Sequence, residues 1–226
     1  MSNLGLEQVF RLLWPDIGAL LRGELEGITA FIVLLILLIS GLFLWFTWRE
    51  RRRAVRRVTQ IRAMLDGVST DELVAQRGEL RQQAEQSDDT VRHLWREFDE
   101  TLVESPDHKS LWNTLDAEHF FNSEALAPRL MHNRLLTVVP SLLTAIGVLG
   151  TFIGLTTGLN GLELQSESTV DELKVGIDQL IGGAAVAFMT SVWGVFFSLV
   201  TNFVEKALER DVAQRISGLQ LQVDEL

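Results

Sequence analysis

Four hydroxyl side chains, Thr144, Thr151, Thr190 and Ser191, stand inside long stretches that hold no Asp, Glu, Lys or Arg. A hydroxyl both donates and accepts a hydrogen bond, so in an apolar setting such groups can pass water or a cation along a narrow path, or bond a partner's side chain. In a helix the same hydroxyl can instead bond the carbonyl four residues back on its own chain. These hydroxyls are set among small residues. Pro140, Thr144, Gly147, Thr151, Gly154 and Gly158 recur at steps of four and three, which places them on one helix face. Leu142, Ile146, Leu149 and Ile153 follow the same spacing on another face. The design recurs further along, with Gly183, Ala187, Thr190, Gly194 and Ser198 on one side and Phe188, Val192, Phe196, Leu199 and Phe203 on another.

Small residues four apart, as in Gly150, Gly154 and Gly158, let helix backbones approach closely. The faces therefore serve either helix packing or a polar path, and Thr151, Thr190 and Ser191 are the strongest candidates for the second role. Moving ions across a membrane usually requires an ionisable group within it, and these stretches contain none. A carboxylate on such a path must come from another chain, with the small faces forming a socket around that chain's helix.

The elements that must position these groups are read from charge. Gly27 to Trp48, Leu135 to Leu162 and Gln179 to Val204 are free of charged residues in a chain that is 22% charged. Each exceeds the roughly 20 helical residues that cross a hydrocarbon core about 30 Å thick. One charge at the centre of such a helix costs about 2.5–3.5 kcal/mol or more, so the windows read as three transmembrane helices. The first begins too late and runs too long for a cleaved leader, and its basic residues follow it. The expected fold is all-α, a membrane protein with extended cytoplasmic helices.

Arginines near span ends stay on the cytoplasmic side. Arg49, Arg51, Arg52, Arg53, Arg56 and Arg57 follow the first window directly and form a topology anchor. Arg129 and Arg134 precede the second window, Lys206 and Arg210 follow the third, and Lys174 is the sole basic residue of the loop between them. The balance predicts an N-terminus outside and a C-terminus in the cytoplasm. The organisation is an outer-side segment over 1–26, spans over 27–48, 135–159 and 179–204, a cytoplasmic helical insert over 49–134, a periplasmic loop over 160–178, and a tail over 205–226. The first segment, "LEQVFRLLWPDIGALLRGEL", reads as an interfacial helix or a flexible terminus.

Within the insert, Ser69 to Glu72 fits a capping box that starts a helix, while Ser105 to His108 and Pro128 interrupt the pattern. In the tail, Val204, Leu208, Val212, Ile216, Leu219, Val223 and Leu226 repeat at eleven-residue periodicity, which favours a straight to slightly right-handed bundle. No stop signal follows, and the tail is expected to continue in a longer chain.

A net charge of −10 without a sustained basic face disfavours nucleic acid, and zero cysteines exclude thiolate chemistry. His93, His108, His119 and His132 share no ligand spacing, and Glu85, Asp88 and Asp89 read as a solvated face before a hard-cation site. No catalytic constellation, cofactor or resident metal is expected, and the chain is not read as an enzyme.

"PSLLTAIGVLGTFIGLTTGL" resembles the penultimate span of the MotA/TolQ/ExbB family of ion-driven motor subunits, which carries a Pro, a Gly and a Gly-Thr-x-x-Gly, here Pro140, Gly147 and Gly150-Thr151-Phe152-Ile153-Gly154. "GGAAVAFMTSVWGVFFSLVTNF" is similar to the last span of the flagellar members, with Thr190-Ser191-Val192-Trp193-Gly194 in place of Thr-Thr-x-Tyr-Gly. The three-span plan, the wording of the second span and the helical tail look most like the members that serve in anti-phage defence. The resemblance implies a bacterial inner-membrane homopentamer, assembled as a ring-like bundle, around two copies of a MotB-like single-span protein. That partner would supply the titrating Asp and a peptidoglycan-binding domain. The transported ion would be H+, with Na+ the alternative, and the tail would signal to cytoplasmic effectors. Departures are the absence of a Pro in the last span and Gln179 where some members have a Glu.

Overall fold

A helix that carries its apolar residues all round its circumference is solvated by lipid or by other helices, and three long helices dominate the computed structural model of the chain. It describes residues 25–68, 73–105, 111–113, 115–131, 133–160 and 170–225. The interfacial segment over 1–26, apart from its last two residues, and the capping box at 69–72 lie outside the described residues, as do His108 and His132.

Helix α1 spans Leu25–Leu65 and includes the first charge-free window and the arginine run. Helices α2 (Leu73–Glu85) and α3 (Asp89–Thr101) follow, then strands β1 (Leu102–Glu104) and β2 (Leu111–Asn113). Three single-turn helices come next, α4 (Ala117–Phe120), α5 (Ser123–Leu126) and α6 (Pro128–Met131). Helix α7 covers Arg134–Asn160 and α8 covers Val170–Asp224. Among the described residues three helices are long and apolar enough to cross a membrane, and these residues form an all-α membrane protein but for one hairpin.

That hairpin was not expected from sequence. Strands β1 and β2 pair antiparallel, Leu102 opposite Asn113 and Glu104 opposite Leu111. Three residues per strand are too few to display a period of two. Helix α8 starts at Val170, so residues 170–178, placed by the sequence in a loop, are helical. Pro128 interrupts the chain as expected, occupying the first position of α6, where its missing N–H costs no helical hydrogen bond.

The chain divides into two units, Met1–Leu44 with Leu135–Phe203, and Trp45–Arg134 with Val204–Leu226. In the first, Ile32 and Ile36 of α1 bury against Leu143 of α7, flanked by Ile146, Ile153 and Phe197. Its outward positions are large and apolar: Phe31, Leu38, Leu142, Leu149, Phe152, Phe188, Leu199 and Phe203 are all more than 40% exposed. Lipid or neighbouring subunits can cover such a surface, whereas water cannot do so cheaply.

The second unit has a core of the type found in water-soluble domains. Helix α3 is capped by Asp88, whose carboxylate accepts from the Thr90 amide at 2.9 Å, and it buries Val91, Leu94, Trp95 and Phe98 on one face. Phe98 meets Phe120 edge-on with ring centroids 5.7 Å apart and Phe121 at 5.3 Å. Val212, Ile216, Leu219 and Val223 of the tail repeat complete this core, each under 10% exposed. Polar ties fix the small helices to the tail. The Ala117 amide donates to Asp224 at 2.8 Å, and the Gln220 amide donates to the Phe121 carbonyl at 2.9 Å. Inside this core Arg77 donates to the buried Asp99 carboxylate and to its carbonyl, both at 2.6 Å.

Candidate functional site

The two small-residue faces read from the sequence meet each other. Gly147 and Gly194 come so close that a Cβ built on Gly194 would lie 2.7 Å from the Leu143 carbonyl and 2.8 Å from the Gly147 Cα. A Cβ on Gly150 would lie 2.5 Å from the Thr190 hydroxyl, and one on Gly154 would lie 2.5 Å from the Ala187 Cβ. Gly183 continues the seam against Gly158. Glycine is required here because the α7 and α8 backbones touch, and van der Waals packing replaces the hydrophobic drive that lipid removes. Gly150 is part of the contact although it stands outside the face that begins at Pro140. A backbone approach this close admits residues on both flanks of the stripe.

The hydroxyls sort by burial. Thr190 is wholly buried and donates either to the Ala187 carbonyl at 2.7 Å or across the seam to the Gly147 carbonyl at 3.0 Å. Thr144 is half-buried and bonds the Pro140 carbonyl of its own helix at 3.3 Å, the local alternative open to any helical hydroxyl. Thr151 and Ser191, both half-buried at the edge of the seam, place their hydroxyl oxygens 2.5 Å apart, and either can be the donor.

Around that pair the acceptors are shared. The Gly147 carbonyl lies 3.2 Å from the Ser191 hydroxyl and 3.3 Å from that of Thr151, which is also 3.2 Å from the Ala187 carbonyl. Each hydroxyl has one proton. If Thr151 donates to Ser191, Ser191 donates to Gly147; if Ser191 donates to Thr151, Thr151 donates to Gly147 or Ala187. The pair thus has two fully bonded proton arrangements of opposite direction.

Sequence reading passed over other buried hydroxyls in the same windows. Ser40 on α1 bonds the Ile36 carbonyl at 2.7 Å, and Thr201 on α8 bonds that of Phe197 at 2.7 Å. Thr29 is buried too. The signal that picked out Thr151, a hydroxyl in a charge-free window, applies to all of them.

The arginine anchor has defined contacts. The Arg49 guanidinium lies 5.2 Å from the centre of the Trp45 ring and that of Arg52 lies 3.4 Å from Trp48. Such pairs suit the interface, where the ring is apolar and the cation wet. Arg51 pairs with Asp211 at 2.8 Å. Arg53 pairs with Glu50, and Arg57 donates to the Leu126 carbonyl at 3.0 Å. The acidic group at 85–89 is met by arginine: Arg92 lies 3.5 Å from Glu85 and 3.2 Å from Asp89, and Arg57 lies 3.4 Å from Asp88. Among the described residues no three His, Asp or Glu gather as metal ligands would.

A family model described as "Anti-phage protein ZorA, Zorya type I system" matches residues 21–226. The chain belongs to this ZorA-like family. It is similar to a Zorya protein ZorA of Escherichia coli O139:H28, 26% identical over 179 residues, which cover 75% of this chain and 24% of that protein. It is also similar to a Zorya protein ZorA of Escherichia coli strain Crooks, 38% identical over 72 residues, or 32% of this chain and 12% of that protein. These ZorA relatives are far longer, and the chain spans about a quarter of the first one's length.

Proposed function

We propose that the chain is the ion-conducting, stator-type subunit of a rotary membrane motor serving anti-phage defence. It forms a socket for the carboxylate-bearing helix of a MotB-like partner. The chain performs no covalent chemistry and holds no cofactor; its cargo is H+, with Na+ the alternative. The observation that carries the reading is the Thr151–Ser191 pair, a half-buried hydrogen-bonded couple with two opposite proton arrangements, in windows of α7 and α8 that contain no charged side chain. A carboxylate brought to the pair by a partner can accept the terminal proton of either arrangement in place of the Gly147 or Ala187 carbonyl. Membership of the ZorA-like family supports the defence role, and the resemblance to MotA, TolQ and ExbB supports five copies of this chain around two partner helices. In this reading the N-terminus is periplasmic, the protein lies in the bacterial inner membrane, the partner grips peptidoglycan, and the tail signals to effectors.

A TolQ/ExbB-like energy-transducing subunit shares this geometry. A non-conducting scaffold is favoured by one observation, that the seam hydroxyls all find acceptors within the chain. The mass of the purified assembly with its partner tests the proposal. A complex of five copies with two partner chains agrees with it, and a monomer or dimer of this chain contradicts it.

A further inference from the structure

Within the second unit a cleft of about 820 Å³ is walled by α1, the segment between α2 and α3, and the turn into α6. Arg53, Arg56, Arg57 and Arg129 line it, against the carboxylates of Glu50 and Asp88, so the wall holds an excess of two positive charges. Glu50 is taken by Arg53 and approached by Arg129 at 3.9 Å. The Arg57 Nε is buried and lacks a hydrogen-bond acceptor among the described residues, with Asp88 at 3.4 Å out of alignment. Arg56 is exposed, and no ion pair is recorded for it among the described residues. Ser87 stands on the same wall, with its hydroxyl donating to the Gln83 carbonyl at 3.0 Å.

A cleft with surplus guanidinium donors matches a phosphate, whose oxygens accept several charge-assisted hydrogen bonds at once. Its position narrows the source. Arg53 follows Trp48, the end of the charge-free window, by five residues, which is about 7.5 Å along a helix and within reach of the headgroup layer. Trp45 and Trp48, each carrying an arginine over its ring, mark that layer on the same helix. We infer that this cleft holds the phosphate of an anionic phospholipid from the leaflet beside Trp45 and Trp48. The inference does not depend on ion conduction.

Native mass spectrometry of the detergent-purified chain, titrated with phosphatidylglycerol, phosphatidylcholine or inorganic phosphate, tests this. Phosphatidylglycerol is retained several-fold more than phosphatidylcholine, and millimolar inorganic phosphate does not displace it. Arg53→Gln with Arg56→Gln reduces retention by about 25-fold, since each arginine near an anionic surface contributes about fivefold. Asp88→Asn keeps an N-cap of the same shape while removing a competing carboxylate, and raises retention, which guards against a result that reflects misfolding alone. Arg52→Gln, on the same helix but outside the cleft, leaves retention unchanged. Equal retention of the two lipids, or an equal loss in Arg52→Gln, overturns the cleft. Displacement of the lipid by inorganic phosphate assigns the site to a soluble phosphate and overturns the lipid.

Discussion

The hydroxyl oxygens of Thr151 and Ser191, forty residues apart in sequence, lie 2.5 Å from each other across the line where α7 and α8 meet. This contact joins the two small-residue faces at their edge, while the wholly buried Thr190 sits inside the seam. Packing and polar path, which the sequence left as competing readings, fall to different residues under the proposed function.

If the pair is a true hydrogen bond, the two positions are energetically coupled. A double-mutant cycle of Thr151→Val and Ser191→Ala, read by unfolding in detergent, should give a coupling of about 0.6 kcal/mol and no more than about 1.7 kcal/mol, the range for hydrogen bonds between membrane helices. Additive losses would mean that the hydroxyls act independently.

The seam predicts a size effect with a built-in rescue. Gly154→Ala drives a methyl to 2.5 Å from the Ala187 Cβ and should cost about 1–3 kcal/mol of stability, as overpacking does. Adding Ala187→Gly should recover most of it. Gly41→Ala, where nothing lies within 4 Å, should be neutral or stabilising by about 0.5–1 kcal/mol. Equal losses at Gly41 and Gly154 would show that α7 and α8 do not pack through glycine.

In the second unit, Arg77 compensates a carboxylate that is 5% exposed, that of Asp99. Arg77→Ala leaves that charge uncompensated and should cost about 2–4 kcal/mol, below the cost for a fully buried pair because Arg77 is a third exposed. Chemical denaturation followed by Trp95 fluorescence checks it. Asp99→Asn should cost less, since the charge then left unpaired, that of Arg77, is a third exposed to water whereas Asp99 is buried.

Asp88 gives a pH prediction. Burial pushes its carboxyl upward, but the Thr90 amide and the Arg57 guanidinium together outweigh that and hold it below the usual carboxylate range. A depressed folded pKa contributes stability that is present above the unfolded value of about 3.9 and is lost as pH falls through the folded value. A melting series from pH 6 to pH 2 (about two units either side of that value) should fall at its acid end, and Asp88→Asn should flatten that fall. An unchanged acid limb in Asp88→Asn would remove this contribution.

The spans and the two-faced character of α7 and α8 were legible because charge in hydrocarbon is costly and because a helix fixes which side chains share a face. Phe188, Val192, Phe196, Leu199 and Phe203, read as sharing a side apart from the small residues, are each more than half exposed. The tail repeat was legible for the same reason, and Val212, Ile216, Leu219 and Val223 are buried. Contacts between distant segments were not legible. Nothing local to Thr190 says that Gly147 will accept its proton, and nothing local to Arg77 names Asp99. The hairpin at Leu102–Asn113 escaped because its strands are too short to show alternation.

The most direct test of the account is proton flux into vesicles that contain this chain and the proposed single-span partner. Thr151→Val with Ser191→Ala, in an assembly of unchanged mass and with Thr190 retained, should lose most of the flux while the helices stay packed. Flux equal to that of the unsubstituted assembly would contradict the account, leaving the seam as packing alone.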